Sequence, residues 1–250
     1  MNTGNNVLCL IYNHNNNENS EAWLNRLVAA GYDAYILDSG SDKPLDYKRV
    51  IKFDNIYWGG LFDQSLNLFY EKKADWLFFV CDDIIIDDEN FTKLTKSIEI
   101  VVSSSNVGIY QPSTIEGESH NVWPKNNNKG TGQLRLTSNI EGWMMLVRKP
   151  IVDVMNNLFV NYSKDMKMGW GTDVLMSYFS LKKGFFNIVD DSVVVKHPKG
   201  AAKYNTGLAN QQMTEVFTKM GTSFQEIVED CNRLYNLIIS RIVAERDKEL

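Results

Sequence analysis

The chain of 250 residues holds only three cysteines, Cys9, Cys81 and Cys231, and no CxxC pair. That excludes a disulfide framework or a cysteine-based zinc site as the organising device. Cys9 and Cys81 fall within apolar runs, as reduced core residues of a cytoplasmic protein do. Histidine is equally scarce, with three residues and no HExxH spacing, and GxSxG is missing. Zincin proteases and α/β-hydrolases are thereby disfavoured. There is no GxGxxG after the first apolar run and no GxxxxGK[ST], which disfavours dinucleotide-binding Rossmann enzymes and P-loop enzymes. No apolar run approaches about 18 residues, and the first residues lack the basic and apolar regions of a leader, so no membrane anchor is expected. An excess of basic charge is also lacking: the net charge is −5, and no global field draws the chain to nucleic acid. Lys182, Lys183, Lys196, Lys199 and Lys203 do cluster in sequence. A solvated face is the simpler reading of that cluster, with a local basic groove as its rival.

What is present is an alternation of short apolar runs with helical patterns, and 44% hydrophobic residues suffice for a sizeable core at this length. The run Trp76–Val80 is too short for a helix, and its aromatic and β-branched content suits a strand covered on both faces. It ends abruptly in Asp82 and Asp83. In open α/β sheets ligands bind at the carboxyl ends of strands. Two adjacent carboxylates repel, so a shared divalent cation or a hydrogen-bond network eases their placement there. The plainer reading is a solvated acidic turn, since Asp87, Asp88 and Glu89 follow.

Taken in order, Val7–Tyr12 reads as a first buried strand, Asn13–Asn19 as a polar loop, and Ser20–Ala30 as a helix stopped by Gly31. Asp33–Leu37 is a second strand, which completes a βαβ unit with parallel neighbours. Val50–Phe53 is a third strand, and a helix is expected around Leu61–Lys72. Phe91–Ser103 is expected helical, Gly108–Tyr110 extended, and Ser113–Gly132 a long polar loop, of the kind that is functional when found inside a compact domain. Trp123 in that loop suggests a cover for something apolar, a sugar ring for example, although a packed surface tryptophan explains it as well. The asparagine runs at 15–17 and 126–128 read as loop tips. Further on come a strand over Ile140–Val147, a helix over Ile151–Leu158 opened by Pro150, a helix over Asp173–Lys183, and strands over Phe185–Val189 and Ser192–Val195. Residues 211–250 are largely helical with an apolar stripe, which suits core packing or a homo-oligomer formed through these helices.

The chemistry rests on carboxylates and one histidine at strand ends: Asp38, Asp82, Asp83, Asp173 and His197. A cation held by Asp83 and His197 would neutralise a diphosphate leaving group. Asp173 would take a proton from an attacking hydroxyl. Gly169 and Gly171 would allow close backbone approach to a ligand, and Trp170 would offer an apolar face to a sugar.

In this order the motifs resemble those of family-2-like glycosyltransferases with the GT-A fold. Leu10-Ile11-Tyr12-Asn13 is similar to their opening strand and turn, and Ile36-Leu37-Asp38-Ser39-Gly40-Ser41-Asp42 to their nucleotide-binding VDDGSxD segment. Val80-Cys81-Asp82-Asp83 lies where they carry a DxD motif. Glu141-Gly142-Trp143 and Gly169-Trp170-Gly171-Thr172-Asp173 look like acceptor-side segments, the second close to GWGxED, and His197 stands where many carry a late metal-binding histidine. The resemblance covers about Val7 to Gly200.

It implies a GT-A-like (Rossmann-like), mostly parallel α/β sheet flanked by helices over 1–205, with a C-terminal helical extension over 206–250 packed on it. It further implies transfer of a sugar from a nucleoside diphosphate, UDP in the first instance, to an acceptor hydroxyl with inversion. Tyr12, Asn13, Asp38, Ser39 and Asp82 would serve the donor, Asp83 and His197 would hold Mn2+ or Mg2+, and Asp173 would be the base. Glu141, Trp143, Gly169, Trp170 and Gly171 would line the acceptor side. The acceptor stays open between a soluble glycan, a protein and a hydroxylated base in DNA.

The first DxD carboxylate is replaced by Cys81, and the roles of Asp82 and Asp83 are exchangeable at this level. Thr172 replaces a glutamate and could be a plain N-cap with Asp173 in the first helical turn. His197 could be a structural histidine before a proline turn. A nucleotidyltransferase and a non-catalytic sugar-binding module built on a transferase are the rival functions.

Overall fold

A computed structural model describes residues 6–115, 123–199 and 205–246. Eight strands form one sheet in the order β3-β2-β1-β4-β7-β5-β8-β6. Its first half is parallel. β1 (Val7–Asn13) lies between β2 (Asp33–Ser39) and β4 (Trp76–Cys81), and β3 (Val50–Phe53) forms the edge. In the second half β7 (Met144–Arg148) runs antiparallel to both β4 and β5 (Val107–Thr114). β8 (Phe186–Val195) is parallel to β5, and β6 (Leu134–Thr137) closes the far edge antiparallel to β8.

Helices cover both faces, and β1, β4 and β7 are apolar apart from Asn13 and Arg148 at strand ends, as expected for strands buried on two sides. On one face α1 (Asn17–Ala29) and α3 (Asp88–Ser103) bury Trp23, Leu27, Leu94 and Ile98 against Cys9, Phe78 and Val80. On the other, α2 (Tyr57–Glu71), α4 (Lys149–Tyr162) and α5 (Thr172–Lys182) bury Phe62, Phe69, Phe159 and Leu175 against Leu10, Phe79 and Met145. α6 (Thr206–Lys219) and α7 (Phe224–Arg246) add Val216, Phe217, Ile227 and Cys231 to this second core. No helix among the described residues is long and apolar enough to cross a membrane.

Several elements differ from the sequence reading. α1 starts at Asn17 rather than Ser20, because the asparagines are not a loop tip: Asn16 and Asn19 each donate to the carbonyl of Asp82 at 2.6 Å. The run at 126–128 is likewise anchored. Asn126 is buried, and Asn128 donates to Ser113 Oγ and to the Asp191 carbonyl. β6 emerges from the end of the expected loop region. The two strands expected around residue 190 are one strand with a register jump, from Pro112↔Asp190 to Ser113↔Val194. Such a jump is a bulge, and buried Asp190 holds it by accepting from the Ser192 amide, Ser97 and Tyr110. The Ile140–Trp143 segment precedes β7 as an irregular buried turn instead of extending the strand.

α2 begins at Tyr57, so Gly59 and Gly60 lie inside its first turn rather than before it. The reason is space. The Gly59 amide donates to the Lys167 carbonyl at 2.8 Å, and a Cβ on Gly59 would lie 1.8 Å from the Met166 carbonyl oxygen. Gly59→Ala should therefore force backbone apart and destabilise the fold by about 1–3 kcal/mol, the range typical of overpacking. Urea unfolding checks this; an unchanged midpoint would mean that the two segments separate freely.

Candidate active site

The parallel register brings the carboxyl ends of β1, β2 and β4 to one rim. There, the Asp82 amide donates to the Tyr12 carbonyl at 2.9 Å, so the chain leaves β4 directly beside the end of β1. Asp82 then turns back: its Oδ2 accepts from the His14 amide at 2.6 Å. Asp83 takes the other direction. An isolated bridge between Ile85 and Lys196, with bonds of 2.9 and 3.0 Å, clamps the segment after β8 onto the acidic turn. It brings His197 Nε2 to 3.4 Å from Asp83 Oδ2. The other Asp83 oxygen is buried without a hydrogen-bond partner.

The residues expected on the donor side lie further back. Tyr12 is 3% exposed; its ring stacks on Phe79 and its hydroxyl meets Ser65 Oγ at 2.8 Å. Asn13 is fully buried and donates to Asp38 Oδ2 at 2.7 Å. Asp38, 1% exposed, also accepts from the Ser41 amide through Oδ1. Ser39 Oγ accepts from the amides of Ile56 and Tyr57, and its carbonyl meets His14 Nδ1. These four residues are placed as the frame of the Ser39–Asp42 turn, with their side-chain polar groups engaged within the protein.

On the far side, Gly169 (φ 79°) and Gly171 (φ 83°) bend the chain into the start of α5. Gly171 is the N-cap residue, so Thr172 is the first helical residue and does not cap. Asp173 follows in the first turn, where the helix dipole favours a carboxylate. It remains partly exposed. Its Oδ1 accepts from the Val174 amide at 2.9 Å and its Oδ2 from the Gly142 amide at 3.2 Å. Burial nevertheless pushes its pKa up to about 6. Glu141, 5% exposed, accepts from the Trp123 amide at 2.6 Å and from Trp143 Nε1 at 3.2 Å, and burial pushes it up to about 7. Trp143 in turn lies against the His197 ring, with centroids 5.7 Å apart. Asp83, His197, Trp143 and Glu141 thus form one wall, which Gly142 joins to Asp173.

Trp170 is partly buried against the second core, and Trp123 stacks on Phe224 of α7 with centroids 6.4 Å apart. Lys203 and Gly200 lie outside the described residues.

Three residues were not singled out by sequence: His14, which binds the Asp82 turn; Gln111, whose amide clamps the Glu141 backbone; and Trp58, which touches both glycine turns. Trp58 carries no local signal for this role, since Tyr12, Phe79, Gly142 and Gly169 are distant from it in sequence.

Among the described residues no group of three or more histidine, cysteine, aspartate or glutamate side chains could enclose an ion. The Asp83–His197 pair with its orphaned oxygen fits the alternative, a hard cation that takes few protein ligands and completes its shell with water and phosphate oxygens.

No family model matches the chain, and no curated protein sequence does. Solved structures do. The fold is similar to that of GalNAc-T7, solved with UDP, GalNAc and Mn2+, at a TM-score of 0.52 and 14% identity, over 86% of this chain and 49% of that one. The chain therefore spans about half of that neighbour. Lower scores, 0.48 and 0.45, relate it to a glycosyltransferase involved in glycosylation of the major capsid of PBCV-1 and to A197 from STIV. Identities there are 11% and 12%, over 83% and 77% of this chain and 98% and 85% of the others. The architecture is a GT-A-like glycosyltransferase fold: a mostly parallel sheet flanked by helices.

The raised carboxylates have a thermodynamic consequence. Burial, against the pull of the His14 amide, puts Asp82 at about 7, compared with an ordinary 3.8. The folded state then holds a proton that the unfolded chain has released. That contribution to stability is present below the unfolded value and is lost as pH rises through about 7. Asp82→Asn keeps an acceptor for His14 and cannot ionise. In metal-free buffer it should raise the melting midpoint relative to wild type at pH 8 more than at pH 5. Equal effects at both pH values would show that Asp82 titrates normally.

Proposed function

We propose that this protein is a glycosyltransferase that moves a sugar from a nucleoside-diphosphate donor, UDP-linked in the first instance, to an acceptor hydroxyl. The observation that carries the reading is the pairing, on one wall of a GT-A-like fold, of Asp83 and His197 with a half-buried carboxylate, Asp173, aimed by two backbone amides. Mn2+ or Mg2+ would be held by Asp83 and His197, and when bound it supplies positive charge to the departing diphosphate. The presence of UDP and Mn2+ with GalNAc-T7 supports this choice of donor and ion.

Asp173 acts as general base. It accepts the proton of the acceptor hydroxyl while that oxygen forms a bond to the anomeric carbon. The bond from that carbon to the diphosphate breaks, and its electron pair leaves with the diphosphate. A single in-line displacement inverts the anomeric centre. A carboxylate with a pKa of about 6 is ionised at neutral pH yet more basic than an exposed aspartate, which suits a base. Asp38, Asn13 and Ser39 serve the donor by fixing the turn that receives it. Glu141 and Trp143 form the side towards the acceptor, with Gly169, Trp170 and Gly171.

UDP with Mn2+ should raise the melting midpoint, and Asp83→Ala should abolish the shift. UDP release from UDP-sugars should show an acid limb near pH 6 in kcat. Asp173→Asn should lower kcat at least about a hundredfold, within the range for a lost general base, while keeping the UDP–Mn2+ shift. A midpoint unmoved by every nucleotide would turn the assignment to a non-catalytic sugar-binding module; a product with retained configuration would remove Asp173 from the role of base.

A further inference from the structure

The two halves of the site belong to distant stretches of chain, yet one side chain touches both. Trp58, in the first turn of α2, stacks on Phe62 with centroids 5.4 Å apart and meets Tyr12 and Phe79 edge-on. Its indole lies beside the thiol of Cys81, two residues before Asp83. The opposite end of the ring is wedged between two glycines. A Cβ on Gly169 would lie 2.1 Å from Trp58 Cε3, and one on Gly142 would lie 3.4 Å from Cζ2. Gly142 is the residue whose amide donates to Asp173, and a Cβ there would also lie 3.5 Å from Asp173 Cβ.

The same turn of α2 is tied at its start to the donor-side frame, through the Ile56 and Tyr57 amides on Ser39 Oγ. Tyr57 adopts a left-handed backbone, φ 57°, a conformation that non-glycine residues hold only where their surroundings impose it. The turn is therefore held from both sides: the Gly59 amide meets the Lys167 carbonyl, and Trp58 is its side-chain contact with the far half.

We propose that Trp58 is a positioning residue: its indole sets the distance between the end of β4, with Asp82 and Asp83, and the Gly142 turn that aims Asp173. This rests on the transfer reading and adds to it the element that couples donor binding to the base. The indole is partly buried, packed against Phe62, Tyr12, Phe79 and the two glycine turns, and through these contacts it acts on the groups that it holds.

The test compares wild type with Trp58→Phe, using UDP and Mn2+ for binding and release of UDP from UDP-sugars for turnover. The expected result is a split. The Kd for UDP–Mn2+ stays within about twofold, while kcat falls roughly ten- to a hundredfold, as misplacement of a reacting group does. Gly142→Ala pushes on the same contact from the other side with little risk to folding and should show the same split. If both variants keep wild-type kcat with unchanged melting, the positioning role is overturned while the transfer reading stands. If kcat and UDP affinity fall together in both, Trp58 is a general support of the fold and the proposal fails. If wild type neither binds UDP nor releases it from UDP-sugars, the transfer reading falls and takes this role with it.

Discussion

The parallel register of β1 with β2 and β4 is the constraint on which the rest of the site depends. Because Asn13 pairs with Asp38 and Tyr12 with Cys81, three chains leave the sheet at one level. Each emerges from a largely buried strand, so the polar groups at the rim sit against a low-dielectric floor of Tyr12, Phe79 and Val80. A shift of one residue in β4 would turn its side chains to opposite faces and send the Asp82–Asp83 turn away from the rim. The bond from the Asp82 amide to the Tyr12 carbonyl closes this arrangement, and the Asn16 and Asn19 amides hold the Asp82 carbonyl from above. The dense polar run after β1 thus satisfies a turn that would otherwise leave buried backbone acceptors unpaired.

Within that frame, similar carboxylates are given different environments. Asp82 is spent on the β1–α1 loop, Asp83 faces His197 with one oxygen left over, and Asp38 is enclosed by its own turn. Asp173 receives two amides but keeps an open side. Sorting of this kind, by what each oxygen already accepts, gives like residues in one cluster different basicity and different freedom to take a further partner.

The legible parts of the site were those whose cause is local. A short apolar run ending in two aspartates reads as a buried strand meeting solvent, and glycine on either side of Trp170 reads as a sharp bend before a helix. Both features are present at the expected places. What stayed hidden was set by partners far along the chain. Asp38 announces itself as a strand-end carboxylate, but only the fold reveals that Asn13 and Ser41 enclose it. β6 is a four-residue edge strand of mixed polarity, and it exists because β8 offers it a ladder. The glycine pair at 59–60 looks like punctuation before a helix; close approach to the Met166 carbonyl puts it inside one.

Cys81 departs most from the pattern that the sequence resembles, and the structure supplies a physical setting for it. In the first DxD position a carboxylate would add a third acidic group beside Asp82 and Asp83 at the mouth of a buried strand. Burial and the neighbouring carboxylates instead push the Cys81 thiol well above its usual range, so it stays neutral. It lies beside the Trp58 indole and reaches towards the Gly142 carbonyl. A charged group there would need its own counter-ion in a space that the indole fills. A neutral, polarisable thiol packs against the ring and leaves the charge to Asp83. The exchange of carboxylate for thiol and the presence of a tryptophan on α2 are in this sense one feature: each makes room for the other, and together they join the carboxyl end of β4 to the turn that holds Asp173.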